Sequence, residues 1–560
     1  MLSTITALLI LSLSLIGVGR LIEILLWSNT SRSPLHTIQE RGLLGIIGLS
    51  AVGMIMHFIV PLRDYPLILI HSIGLLVVGV WGFSQRRTKL SQSALVLAVL
   101  FITFLIYLAF ASYGPTPTYD TGLYHLQATL WNREAALSPG LALLHDRFGF
   151  NSIWFILSAS LGLPKIWNSS LLLPNVLLFL FAIGSLVEYV RASYSRKVPK
   201  HRFALAITTL AFSWGFPQIL NEFNSISTDF PTMVLTVYIV FLLFYHKPTI
   251  RMDSFIFLLG VTLVLIKLSA AVFFIGLVIL LLLRNRAQLV EFAQSQWRVL
   301  FLILVLVATW LVRGYLQSGC LLFPLSLSCL ELHTWSTSAN QAIITQSWVE
   351  SWAKWPGQSY KEVLGSLAWI QGWWLENALS SSIFARIFQA IAALMVLIFG
   401  YKFKIISKKD FALNTQTLSG VLLILSASLV YWFFSAPAPR FIAGVFVSIA
   451  IIPVTLLVTA TIAEAARRIP FRSVAILLFV FLIFETLQLS ASYRQRTAYP
   501  LWQRIPQSFQ LQNTTRSGQT IYGPVSGDQC WGIELPCTPY FNENLTFRWE
   551  GNRVVFGIEE

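Results

Sequence analysis

The chain has 560 residues, of which 56% are hydrophobic and only 11% charged, and its mean hydropathy is +0.70. Soluble domains carry roughly 25% charged residues because their surfaces face water, so this composition excludes an ordinary soluble protein and makes lipid the surrounding medium. The net charge of +15 is that of basic loops kept on the cytoplasmic side of a membrane; no nucleic-acid-binding motif accompanies it, and no nucleic acid is expected as a partner.

Four cysteines are too few for a disulfide scaffold, and glycine and proline are too sparse for a fibrous chain. Apolar windows near the ~20 residues that cross a bilayer as a helix recur from end to end. They fall at 3–27, 43–60, 66–83, 94–112, 166–190, 203–220 and 230–245. Further windows follow at 255–266, 268–283, 300–315, 382–401, 418–434, 441–462 and 474–489. The expected fold is therefore all-α and polytopic, with about 14 transmembrane helices, juxtamembrane helices and a small external C-terminal segment.

Alternate loops are basic. One set holds Arg32 and Arg41, Arg86, Arg87 and Lys89, the run from Arg191 to Arg202, Lys247 and Arg251, Arg284 to Arg298, Lys402 to Lys409, and Arg467 to Arg472. The positive-inside bias makes these loops cytoplasmic and both chain ends external. The first window lacks a basic start and a small-residue cleavage site, so it is read as a span rather than a removed signal. Residues 255–283 are two short passes or one long helix; the charge pattern favours a broken pair with Lys267 at its outer tip.

Three long polar segments, 113–149, 316–381 and 491–560, then share the external face, and loops of that length usually carry function. The middle one holds Trp335, Trp348, Trp352, Trp355, Trp369, Trp373 and Trp374, which suits an interfacial belt or a sugar-stacking platform. In the tail, an oxidising exterior would permit a Cys530–Cys537 disulfide, and Cys320 with Cys329 is a second candidate pair.

Within the first segment Leu123, Leu126, Leu130 and Trp131 recur at helical spacing opposite His125, Thr129, Asn132 and Arg133, the pattern of a helix lying on the bilayer surface. Asp120 at its start could cap it or do chemistry. His125 and His145 fit hydrogen-bonding loop residues better than catalysts, and Arg147 could snorkel to the interface. Glu222, Asp229, Lys267, Arg313 and Arg440 gather at the outer ends of spans. Ionisable groups near hydrocarbon are costly, so their convergence suggests a site, with interfacial anchors as the rival account.

In layout these residues resemble the GT-C superfamily of polytopic glycosyltransferases. The shared features are an acid in the first large outer loop (Asp120), a second acid before a proline-containing span (Asp229-Phe230-Pro231), a broken pair with an exposed lysine (Lys267) and a late outer arginine (Arg440). Residues 119–125, 144–151, 313–324, 436–441, 528–531 and 535–540 are similar to a bacterial family of GT-C-like integral membrane proteins. The first three spans are additional to the usual order, and Asp120 lacks a neighbouring second acid.

The resemblance implies a division into N-terminal extra helices (1–93), a catalytic membrane core (94–315), a Trp-rich outer loop (316–381), C-terminal spans (382–490) and an external tail (491–560), with a juxtamembrane helix over 150–163. It implies an inverting transfer of sugar from a polyprenyl-phosphate donor to a glycan, lipid or protein acceptor at the outer face of a bacterial plasma membrane. Asp120 would be the general base and Asp229 would assist. Lys267, Arg313 and Arg440 would hold the donor phosphate, and Tyr119, Tyr124, His125, His145, Arg147 and Glu222 would contact substrate. No cofactor is certain, and use of a divalent metal is left open. A lipid-linked saccharide transporter and a non-catalytic envelope assembly subunit are the alternatives.

Overall fold

The computed structural model describes residues 2–27, 33–63, 65–85, 92–112, 118–162, 170–195, 197–214, 219–377, 382–403, 415–496 and 510–559. Arg32, Arg86, Arg87, Lys89, Arg196, Lys404, Lys408 and Lys409 of the basic loops lie outside the described residues, as do the start of the span expected at 166, residues 113–117 of the first outer segment and residues 497–509 of the tail.

The chain is a predominantly helical, multi-pass membrane protein. Among the described residues nine helices are long and apolar enough to cross a bilayer: Leu2–Trp27, Ile38–His57, Tyr65–Ser84, Pro174–Ser193, Trp297–Ser318, Phe384–Lys402, Thr415–Ser435, Pro439–Thr461 and Phe471–Ser490. The other apolar windows are also helical but shorter: Leu95–Ala111, Lys200–Trp214, Asp229–Tyr245, Ile250–Ile266 and Ala271–Arg284. The chain breaks at Lys267, whose backbone is extended between Ile250–Ile266 and a 3-10 turn, Leu268–Ala270, that leads into the next helix.

Small residues let the first helices approach closely, as membrane helix packing requires. A methyl group on Gly17 would stand 1.8 Å from the carbonyl oxygen of Gly74 on the third helix. Thr37 begins the second helix by accepting from the Glu40 N–H at 3.1 Å, while Glu40 Oε2 accepts from the Thr37 N–H at 2.9 Å. The other oxygen of Glu40 accepts from Tyr189 and Tyr238, which ties this helix end to two more helices.

At the opposite end of the bundle lie the long segments. The helix Leu126–Glu134 is not two-faced: His125, Thr129, Asn132 and Arg133 are as buried as Leu123 and Leu126. Its polar side meets protein rather than headgroups. Arg133 donates to the Gly162 carbonyl at 3.0 Å, and Asn132 Oδ1 accepts from Arg313 at 2.9 Å. The juxtamembrane helix expected over 150–163 is Ile153–Leu161, begun by Ser152 and wholly buried.

The tail is not an extended appendage but two antiparallel hairpins, so the architecture is not purely helical. Strand β1 (Gln510–Thr514) pairs with β2 (Thr520–Pro524), and β3 (Leu545–Glu550) with β4 (Arg553–Ile558). Alternation along β4 buries Val554 and Phe556, and Phe556 packs edge-on against Trp131. The second hairpin is fastened by main-chain bonds from Ala136 to Asn552 at 2.7 Å and from Phe556 to Pro139 at 3.0 Å. Both cysteine pairs, Cys320–Cys329 and Cys530–Cys537, are disulfides.

Candidate functional site

Four remote segments deliver charged side chains to one place. Tyr119 and Asp120 open a helical turn that widens into a π-turn at Thr121–His125, a local irregularity frequent at functional sites. Asp120 makes no side-chain capping bond, so the capping role open in the sequence is not the one it takes. Asp229 occupies the first turn of Asp229–Tyr245, two residues before a proline whose fixed φ suits a helix start. Lys267 projects from the break between two helices, and Arg440 sits in the 3-10 turn Pro439–Ile442. Trp373 Nε1 donates to the Pro437 carbonyl at 2.7 Å and Trp432 Nε1 to the Ala438 carbonyl at 2.8 Å, so buried tryptophans fix the linker that carries Arg440.

The Arg440 guanidinium bridges the two acids. Its Nη2 lies 2.9 Å from Asp120 Oδ2, and its Nε 3.4 Å from Asp229 Oδ2. Asp229 Oδ1 accepts from Lys267 Nζ, and Arg147 Nη1 stands 3.6 Å from Asp120 Oδ1. Lys267 Nζ also lies 3.7 Å from the centre of the Phe441 ring, and the Arg147 guanidinium is 5.5 Å from that of Tyr124, both suited to cation–π attraction. Two carboxylates thus face three cations, which leaves the cluster one positive charge in excess. An open cleft lies between Asp229–Tyr245, Ala271–Arg284, Thr415–Ser435 and Ala443–Thr461, and Arg440 lines it together with the apolar Met233, Phe273, Trp432 and Val445.

Burial alone would raise the Asp120 carboxyl, but Arg440, with Arg147 and Lys267, outweighs burial and holds it below the usual carboxylate range. Glu222 makes no ion pair among the described residues; its Oε2 accepts from Ser225 at 3.2 Å, and burial together with the Asp229 charge pushes it up to about 7. The folded protein therefore holds a proton that the unfolded chain releases from about pH 4.5, so stability falls as pH rises from there to about 7. Glu222→Gln is expected to flatten this slope and to be about 1 kcal/mol more stable than the wild type at pH 8. Melting curves at pH 5 and 8 check this; an undiminished pH slope in the variant would contradict it.

The structure does not bring Arg313 into this cluster. Its guanidinium is buried and donates to Asn151 Oδ1 and Asn132 Oδ1, because the last turns of Trp297–Ser318 lie against the loop after Phe150 and not beside Asp120. It braces the scaffold, and the phosphate-holding role is withdrawn from it. His125 is buried between Tyr124 and Phe155, and burial pushes it down to about 4 against the pull of Asp120, which makes it a neutral packing residue at pH 7 instead of a substrate contact. Tyr124 is likewise buried beneath Arg147. His145 pairs with Asp146 at 2.9 Å and packs edge-on against Tyr540; Tyr119 is exposed and donates its hydroxyl to Asp528. Of the seven tryptophans in the middle loop, Trp369 and Trp373 are core residues, whereas Trp348, Trp352, Trp355 and Trp374 are exposed.

The disulfide-closed loop of the tail roofs the Asp120 turn. Trp531 N–H donates to the Gly122 carbonyl at 2.9 Å, and Gln127 Nε2 donates to the carbonyls of Trp531 and Ile533 at 2.9 and 2.8 Å. A methyl group on Gly122 would fall 2.3 Å from the Trp531 ring. Gly122→Ala is thus expected to cost about 1–3 kcal/mol, as overpacking does, and to speed hydrogen exchange in peptides covering 528–540. Wild-type exchange there would show that the contact is dispensable. Gln127, Asp528 and Tyr540 were not singled out as site residues from sequence, although the stretches 528–531 and 535–540 carried part of the family likeness.

Asp120 and Asp229 are each turned to cations, and among the described residues no group of three or more His, Cys, Asp or Glu side chains could hold a metal ion. This donor set does not fit a metal centre.

A family described as "Domain of unknown function (DUF8201)" matches residues 1–447. The chain belongs to the DUF8201 family. No curated protein and no solved structure matches it. All five charged residues of the cluster fall inside the DUF8201 match, whereas the tail that roofs Asp120 falls outside it.

Proposed function

We propose that this DUF8201 protein is a membrane glycosyltransferase that moves a sugar from a polyprenyl-phosphate donor to an acceptor hydroxyl or amine, inverting the anomeric centre. The observation that carries the reading is the bridging of Asp120 and Asp229 by Arg440 beside an apolar cleft. A lipid phosphate needs an apolar groove for its chain and cations at its head, and here both meet at one guanidinium.

In this reaction the acceptor oxygen or nitrogen forms a bond to the anomeric carbon while the bond from that carbon to the phosphate oxygen breaks. The electron pair leaves on the phosphate, where Arg440, Lys267 and Arg147 meet the growing negative charge. The acceptor proton passes to the Asp120 carboxylate. Paired with Arg440, that carboxylate is ionised but weakly basic; a donor phosphate that takes over Arg440 would free it and raise its proton affinity. Asp229 keeps Lys267 in place and aligns the acceptor.

The proposed location is the outer side of a bacterial plasma membrane. It is supported by two disulfides at the site-bearing end and by the basic loops assigned to the other. The full count of fourteen crossings belongs to the same proposal. It takes the helices of 14 to 17 residues as spans of roughly 21–26 Å, short of the ~30 Å core, which leaves their charged ends close to the interface.

Asp120→Asn is expected to remain folded in the membrane while purified protein loses about 10²–10⁴-fold in donor consumption, the usual contribution of a general base. Wild-type turnover by this variant would remove the carboxylate from that role. Intact lipid-linked saccharide crossing sealed vesicles, with no donor consumed, would replace the enzyme reading by transport.

A further inference from the structure

Beyond the ion-pair cluster, a second set of polar and aromatic side chains gathers on the solvent side of Arg147. Tyr119 and Tyr540 are 57% and 55% exposed, so both leave much of their side chain open to solvent. Asp528 accepts the Tyr119 hydroxyl, and Gln529 Nε2 donates to the Tyr119 carbonyl at 2.8 Å, so the disulfide-closed loop and the Asp120 turn hold each other. His145 packs under Tyr540 with ring centres 5.2 Å apart; it is 3% exposed, and its Nε2 has no hydrogen-bond partner among the described residues. Arg147 is common to both sets: it pairs with Asp120, and its charge acts on Tyr119 and Tyr540.

We propose that Tyr119, Asp528 and Tyr540, with Arg147 below them, form a saccharide-binding subsite that presents the acceptor to Asp120. The class of ligand follows from the chemistry. Exposed electron-rich ring faces attract the C–H face of a pyranose, while a carboxylate and a guanidinium are an acceptor and a donor set suited to its hydroxyls. An apolar acceptor would desolvate the Asp528 carboxylate and the Arg147 guanidinium and give them no new hydrogen bonds in return. The Tyr119 hydroxyl donates its one proton to Asp528, so toward a saccharide its oxygen is left as an acceptor. The division of the chain agrees with this arrangement: the matched residues 1–447 supply the charge cluster, and the tail adds Asp528 and Tyr540.

This subsite rests on the glycosyltransferase reading, and the two are tested separately. Fluorescently labelled full-length protein in nanodiscs is applied to an array of defined glycans, with empty nanodiscs as the control. One class of saccharide is expected to be retained. Tyr540→Ala and Asp528→Asn are each expected to lower that signal about tenfold at an unchanged melting temperature, a loss of about 1.4 kcal/mol. Tyr540→Phe, which keeps the ring, should restore most of it. A blank array, or variants that bind like the wild type, would overturn the subsite. If the array is blank while wild-type protein consumes a polyprenyl-phosphate sugar, the subsite alone fails. If retention depends on Tyr540 and Asp528 but no donor is consumed, the saccharide site stands and the transferase reading fails.

Discussion

Arg440→Ala is expected to lower donor turnover by about 10³-fold, at the upper end of what removing one preorganised charge donor costs. Arg440 touches both carboxylates, so its loss breaks their bridge, turns the excess positive charge of the cluster into neutrality and, on the proposed reaction, takes a cation from the donor phosphate. Arg440→Lys separates geometry from charge. An ammonium is a single point donor and cannot span Asp120 and Asp229 as the guanidinium fork does, so about 10²-fold should still be lost. Steady-state donor consumption by purified protein measures both. Lysine restoring full turnover would show that charge alone suffices and that the bridging geometry is incidental.

The second large effect is on stability. Asp229→Asn leaves Lys267 facing Arg440 and the Phe441 ring without its carboxylate, at a break between two apolar helices. Breaking a buried pair by removing one partner costs roughly 3–5 kcal/mol, and the partial exposure of this pair reduces that to about 2–3 kcal/mol. The double variant Asp229→Asn with Lys267→Met should recover most of the loss, because no unpaired charge remains, yet it should stay inactive because the phosphate loses a cation. Thermal unfolding in one detergent, with donor consumption measured in parallel, decides the matter. A single variant as stable as the wild type would mean that water reaches Lys267 freely.

Local features were the legible ones. Every apolar window read from the sequence contains a helix where it is described, because a long apolar run leaves the backbone few other ways to satisfy its hydrogen bonds in lipid. Lys267 interrupts such a run, and the chain does break there. What pattern could not show was pairing between distant segments. Arg313 and Arg440 look alike in sequence, each at the outer end of a span, yet one is held by Asn132 and Asn151 and the other by two aspartates. The turn after Asp120 read as a surface helix because its polar residues are periodic. The partners that bury them, Arg313, Gly162 and the tail loop, lie tens to hundreds of residues away. The hairpins were missed for a related reason: strands of five or six residues between turns give a weak periodic signal.

The spacing of the ion pairs along the chain also sets a timetable for biogenesis. Asp229 is followed by its lysine only 38 residues later, whereas Asp120 precedes Arg440 by 320. At synthesis rates of about 5–20 residues per second, the first acid must wait roughly 15–60 s for its strongest partner. Throughout that interval Arg147 is the one guanidinium partner of Asp120 already synthesised, so the bridge between the two acids is the last part of the cluster to form.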